Sequence, residues 1–147
     1  MTMVEVVYVE DPTAIGADQL RGGFFEGWPH PPNAERHLAH LRGADAVILA
    51  VDPGTGAVVG FVSAIGDGVL TAFIPLLEVL PAWRGRGIGT ELMRRILARL
   101  GDRYSIDLTC DDELVPFYER LGGTAASAVL WRNRDTLRRE RPVNTAG

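Results

Sequence analysis

Val79-Leu80-Pro81-Ala82-Trp83-Arg84-Gly85-Arg86-Gly87-Ile88-Gly89-Thr90 is the stretch that decides the reading of this chain. An apolar, strand-like run passes through an arginine- and glycine-rich turn straight into an amphipathic helix. A helix start leaves its first four amide hydrogens unpaired and carries partial positive charge, which favours anions. Gly85, Gly87 and Gly89 remove side chains where phosphate oxygens would meet the backbone. Arg84 and Arg86 add full charges. The turn predicts a pyrophosphate cradle.

Two common cradles are excluded by spelling. A Walker A loop needs a Gly-Lys-Ser/Thr ending, and the chain has no lysine: all 15 basic residues are arginine. A dinucleotide fingerprint needs G-x-G-x-x-G, but Thr90 stands where the third glycine belongs. What remains is Arg84-x-x-Gly87-x-Gly89. At this point the sequence resembles the GCN5-related N-acetyltransferase (GNAT) family, whose acetyl-coenzyme A motif is Gln/Arg-x-x-Gly-x-Gly/Ala between a strand and a helix. Asp107-Leu108-Thr109-Cys110-Asp111-Asp112-Glu113-Leu114-Val115-Pro116-Phe117-Tyr118-Glu119-Arg120-Leu121-Gly122 is similar to a second block of that family, a strand and polar turn leading to Phe-Tyr-Glu-x-Leu-Gly-Phe. Gly123 departs from it, standing where the phenylalanine belongs. The specific resemblance covers about residues 70–123.

The resemblance implies a single α/β domain over residues 1–147, with a mixed, mostly antiparallel sheet flanked by helices on both faces. It implies an acetyl-CoA-dependent N-acetyltransferase, an acyltransferase of the EC 2.3.1 type, acting on a primary amine of a small molecule or peptide by direct attack through a tetrahedral intermediate. Cofactor contacts are then expected from Leu77, Val79, Arg84, Gly85, Arg86, Gly87, Ile88, Gly89, Thr90, Asp111 and Phe117. Arg94 and Arg95 are expected to add charge for the phosphates. In this family the strand before the cradle bulges and splays from its neighbour, freeing the backbone of Leu77, Glu78 and Val79 for the pantetheine arm. Pro75 fits that picture, because it cannot donate to a ladder and argues for an edge or a bulge.

The chemistry needs a base and an acid. An alkylammonium of pKa about 10.4 is mostly protonated at neutral pH. Glu78, on the strand approaching the thioester, is the motif-anchored base, with a water chain as the alternative if it lies on the other strand face. Tyr118 occupies the place where the family keeps a tyrosine beside the coenzyme sulfur, and a phenol can protonate a thiolate. Packing its ring on the cofactor is the plainer reading. Phe24, Trp28 and His30 are expected to shape the acceptor pocket, although Phe24 serves equally well as core.

Composition agrees with a soluble globular domain: 46% hydrophobic and 23% charged residues, with a formal charge of −4. Cys110 stands alone, which excludes an internal disulfide framework and fits the reducing cytoplasm. No run approaches the roughly 20 apolar residues of a membrane span. The acidic balance argues against nucleic acid, and the basic run after Arg132 is interrupted by Asp135 and Glu140. A charged C-terminal tail is expected over about 133–147. A homodimer is left open. The competing readings are a non-catalytic acyl-CoA sensor and, more remotely, a nucleic-acid accessory protein.

Along the chain the patterns predict a strand over Met3–Val9, a glycine-interrupted helix over 13–25 and a proline-filled loop at 27–32. A second helix capped by Asn33 should run to Arg42. Strands follow at 44–51, 57–65 and 69–80, the last two joined by Gly66-Asp67-Gly68. The helix from Ile88 ends at Gly101, a strand covers 103–110, and Asp111 or Asp112 caps the Phe117–Tyr118 helix. A last strand is expected over Thr124–Arg132. His37 and His40, one turn apart, read as a solvated helix face, with no further ligand at a metal-site spacing.

Overall fold

The computed structural model describes residues 5–133 and 135, and its centre is made by two runs that the sequence leaves apolar on both faces. These are β2 (Ala46–Val51) and β3 (Val58–Gly66). Ile48, Leu49, Phe61 and Val62 are wholly buried, as expected of strands covered above and below. With β1 (Val7–Val9), β4 (Thr71–Val79) and β5 (Ser105–Asp107) they form one sheet in the order β1-β2-β3-β4-β5. All neighbours are antiparallel except β4 and β5, which run parallel.

The alternation of side chains divides the core in two. Ala46, Ile48, Ala50 and Val62 face α2 (Ile88–Leu100), whose Ile88, Leu92, Ile96 and Leu100 form the buried stripe. Val47, Leu49 and Phe61 face the other way, toward α1 (Ala34–Gly43) and the turns before it. Gly60 permits the close approach of β3 to α2: a Cβ there would sit 3.2 Å from Leu92 and 3.3 Å from the Glu78 carbonyl oxygen. Asn33 caps α1 by accepting the Arg36 amide at 2.8 Å. Gly101, at φ 69°, ends α2 with its amide on the Leu97 carbonyl.

Three expectations are corrected. Residues 13–25 form no continuous helix, only 3-10 turns at Pro12–Ala14 and Ala17–Leu20, because Pro12 and Gly16 break the ladder and extended residues separate the turns. The strand expected over 103–110 shrinks to Ser105–Asp107. Among the described residues Thr124–Arg132 makes no strand: residues 122–133 are all exposed and without regular structure. The tail expected beyond 133 falls almost entirely outside the described residues.

Candidate active site

The site starts where β4 loses its neighbour. Thr71, Ala72 and Phe73 pair with Ser105, Ile106 and Asp107, and from Ile74 onward no strand accompanies the outer edge of β4 among the described residues. On the inner edge Ser63 pairs with Leu76 and Ile65 with Phe73, so Ala64 alone faces both Ile74 and Pro75. This is a β-bulge at the proline, as its missing donor predicts. The free half of β4 therefore exposes backbone groups along Leu76–Val79 and leads into the glycine turn.

That turn is preorganised for an anion. Gly85 (φ 78°) and Gly87 (φ 82°) adopt left-handed backbone that other residues take only under strain. The first bond of α2 is Glu91 amide to Gly87 carbonyl, which leaves the amides of Ile88, Gly89 and Thr90 unpaired at the helix start. The Ile88 side chain is buried in the core, so only its backbone faces the turn. A Cβ on Gly89 would lie 3.8 Å from both Phe117 Cζ and Val79 Cγ2, which marks where β4, α2 and α3 (Val115–Glu119) converge.

The arginines divide. Arg84 Nε donates to the Val79 carbonyl at 2.9 Å, and its Nη2 lies 3.9 Å from Glu26 Oε2. Its charge thus stands between the turn and the loop before α1. Arg86 lies over the Trp83 ring at 4.9 Å, beside the turn. Arg95 is bound to Glu91 at 2.9 Å and stacked on Tyr8, so it is directed away from the phosphate site expected of it.

Opposite the turn, Glu78 is held by an aromatic loop. Phe25 donates its amide to Glu78 Oε1 at 2.9 Å, and it does so from a left-handed backbone of φ 66°. For a bulky residue this conformation costs ~1–3 kcal/mol and persists only when its surroundings impose it. Here the imposing contacts are His37 at 4.9 Å and Trp28 at 5.0 Å between ring centroids. Glu78 Oε2 is buried and has no partner. Desolvation raises the Glu78 carboxyl above its ordinary pKa, although the Phe25 amide and Arg84 pull the other way.

Tyr118 comes from α3, with Phe117 against it at 4.9 Å, edge to face. Pro116 sits in the first turn, where no amide is needed. Burial, then the neighbouring Cys110, pushes the Tyr118 phenol up to about 12, so it holds its proton across the working range. Gly123 has a local reason: it donates to the Tyr118 carbonyl at 3.1 Å, and a Cβ there would come within 3.2 Å of that oxygen. Asp111 precedes the 3-10 turn Asp112–Leu114 without making a side-chain cap, which leaves its carboxylate free at the cleft.

These parts enclose a cleft of about 340 Å³ that brings together Trp28, Leu77, Glu78, Asp111 and Tyr118. Thr109, Cys110, Leu130 and Arg132 line it as well, and none of these was anticipated. Only the spacing of Thr109 and Cys110 from Tyr118 could have signalled them. Phe24 is half-buried against the core instead, edge-on to Phe61 and His37 at 5.2 Å each, and His30 is not on the cleft wall. A larger depression of about 630 Å³ lies at the far end of β4, lined by Asp45, Asp67 and Asp107. The Asp67 carboxylate there accepts three backbone amides, Asp45 accepts the Gly66 amide and Asp107 accepts the Ser105 hydroxyl, so these are loop ties.

The histidines are not a solvated face. His37 is 2% exposed within the rings of Phe24, Phe25 and Phe61, its Nε2 lacks a partner, and burial followed by His40 lowers its pKa to about 4. His40 Nε2 meets Ser63 Oγ at 2.8 Å. The aromatic cluster, drawn from three separate parts of the sequence, turned this face of α1 inward.

Comparison with known proteins agrees with this geometry. The chain is 47% identical to a structurally solved protein of Deinococcus radiodurans assigned as an acetyltransferase, with a TM-score of 0.88 over 93% of this chain and 94% of the other. It is 31% identical over 111 residues to GCN5-related N-acetyltransferase 1, chloroplastic, of Arabidopsis thaliana, a match covering 74% of this chain and 56% of that one. The chain spans from about a third to just over half the length of the curated relatives it matches. Its fold is shared with aminoglycoside N-acetyltransferase AAC(6')-Iy, solved in complex with CoA, at 20% identity and a TM-score of 0.60 over 90% of this chain and 98% of the other. The profile of the Acetyltransferase (GNAT) family matches residues 16–123, well over half of the chain, and the protein is a member of that family.

Proposed function

We propose that this chain transfers an acetyl group from acetyl-coenzyme A to a primary amine of a small molecule or peptide. The carrying observation is the unpaired half of β4 running into a turn of unpaired amides at Gly85–Thr90, a slot and a cradle in one line. A nucleoside diphosphate fits that cradle, because its donors are main-chain nitrogens and a Cβ at Gly85 or Gly87 would strain the backbone. Gly85, Gly87, Ile88, Gly89 and Thr90 would hold the diphosphate through their amides, with Arg86 alongside. Leu77 and Val79 would offer backbone to the pantetheine arm.

Acetyl-coenzyme A supplies a thioester carbonyl open to direct attack by a neutral amine. Tyr118, which retains its proton, donates toward the departing sulfur. Glu78 receives the amine's proton. Its Oε2 is sealed from solvent and unpartnered, so the proton reaches it through a water admitted when the Phe25 loop shifts. Trp28 forms the apolar wall of the acceptor side, and Arg132 and Asp111 bring opposite charges to its rim.

The test is coenzyme A thiol release across a panel of amines. Tyr118→Phe should lower kcat roughly a hundredfold, the low end of general-acid contributions, while coenzyme A affinity stays unchanged. The acid limb should follow Glu78: with its pKa raised, the carboxylate gains a proton early as pH falls, and the rate declines with it. Tyr118 should impose no alkaline limb below about pH 12. Coenzyme A uptake with no thiol release on any amine would instead identify an acyl-CoA sensor. Failure to bind coenzyme A would remove both readings.

A further inference from the structure

One arginine on the cleft wall stands outside the transfer chemistry. After α3 the chain returns along the cleft, and alternate residues take opposite sides: Leu130 and Arg132 line it, whereas Val129 is 77% exposed and Trp131 88%. A side-chain period of two puts the inward pair on one face. Arg132 also differs from the other arginines around the site. Arg84 is bound to the Val79 carbonyl, Arg86 lies over Trp83, and Arg95 is bound to Glu91. Among the described residues Arg132 has neither a hydrogen bond nor an ion pair. A guanidinium left unpaired on a cleft wall presents a planar fork of donors, and a carboxylate matches that fork in shape.

The anion it would hold is not the diphosphate. No residue of the glycine turn lines this cleft, whereas Glu78 and Tyr118, the base and acid of the proposed transfer, both do. Arg132 therefore shares its space with the acceptor. The rest of the wall narrows the choice of acceptor. Trp28, Ile74, Leu76 and Leu130 give an apolar lining, and at about 340 Å³ the cleft lies at the small end of ligand pockets. Glu78 and Asp111 supply the carboxyl groups that draw an ammonium. Resting on the proposed acetyl transfer, we infer that Arg132 sets acceptor specificity, and that the acceptor is a compact apolar amino acid whose amine enters toward Glu78 while its carboxylate lies on the Arg132 guanidinium. The acceptor is then bipolar, as the wall around it is.

The experiment measures coenzyme A thiol release with phenylalanine and with para-(aminomethyl)benzoate, each set against its carboxamide. The members of a pair are compared at equal free-base concentration, because removing the carboxylate charge lowers the pKa of the ammonium. The carboxylate of at least one pair should be preferred at least ~fivefold in kcat/KM, the upper range for a solvent-facing ion pair, and salt should shrink the preference. Glycine, which lacks the apolar body, should be a poorer acceptor than phenylalanine. Arg132→Lys should keep part of the preference, and Arg132→Glu should reverse it through KM. An arginine of merely structural importance would change both members of a pair alike. Coenzyme A binding reports that both variants are folded. Equal use of carboxylates and carboxamides would overturn this inference and leave the transferase reading standing, as would a preference that survives Arg132→Glu or turnover confined to amines without a carboxylate. Thiol release with no amine of a broad panel would overturn the transferase reading and this inference together.

Discussion

The cradle at Val79–Thr90 and the aromatic loop at Phe24–Trp28 meet at Arg84, yet they are built by opposite means. The cradle is local. Two left-handed glycines and a helix start generate its donors, and every residue that matters lies within a dozen positions. The loop depends on partners far away in sequence: Phe25 reaches Glu78 across 53 residues and rests on rings from α1 and β3. One end is thus rigid by backbone geometry and the other by packing. The difference separates two kinds of order, since the aromatic loop can be repacked without disturbing the glycine turn.

Substitutions should break this contrast in a definite order. Gly87→Val forces a β-branched residue to φ 82° and should cost about 3 kcal/mol, read by calorimetry as a ~100-fold loss of coenzyme A affinity. Full affinity in that variant would mean that the cradle is not where the diphosphate sits. On the other side, His37→Phe should sharpen the packing half. His37 has a folded pKa near 4 against an ordinary 6.5, so the unfolded chain takes up its proton first as pH falls. Its contribution is complete above about pH 6.5 and is lost by about pH 4. Between pH 7 and pH 5 the wild type should lose ~1–2 kcal/mol through this residue, and His37→Phe should abolish that slope in urea titrations. The smallest effect concerns Phe25. Phe25→Gly should be about 1 kcal/mol more stable than Phe25→Ala in thermal unfolding, because only glycine accepts φ 66° freely. Equal stabilities would show that the loop relaxes once the ring is gone.

The same division explains what could be read in advance. The α2 stripe, the Gly101 stop, the Asn33 cap and the bulge at Pro75 were all legible, since each follows from residues a few positions apart. So was the backbone of the glycine turn, two left-handed glycines before a helix start, and motif spacing pointed to Glu78 and Tyr118, which line one cleft. His37 was not: its helical neighbours Leu38 and Leu41 suggest a narrow apolar stripe, and only distant aromatics make a histidine the better filler. Leu130 and Arg132 were missed as cleft walls because their approach to Trp28 and Glu78 depends on partners far away in sequence. The 3-10 turns before Leu20 escaped because a short apolar pattern cannot distinguish them from an interrupted helix.

Pro75 carries one more implication. A half-strand left open along Leu76–Val79 would invite stacking into filaments whenever protein is concentrated, as any bare sheet margin does. With an imino acid at its entrance and a local kink beside it, that margin is a poor template for polypeptide, which needs regular donors, and stays open to a slender guest that needs few. On the proposed function, receptivity toward a thread-like molecule and resistance to self-adhesion thus come from one residue.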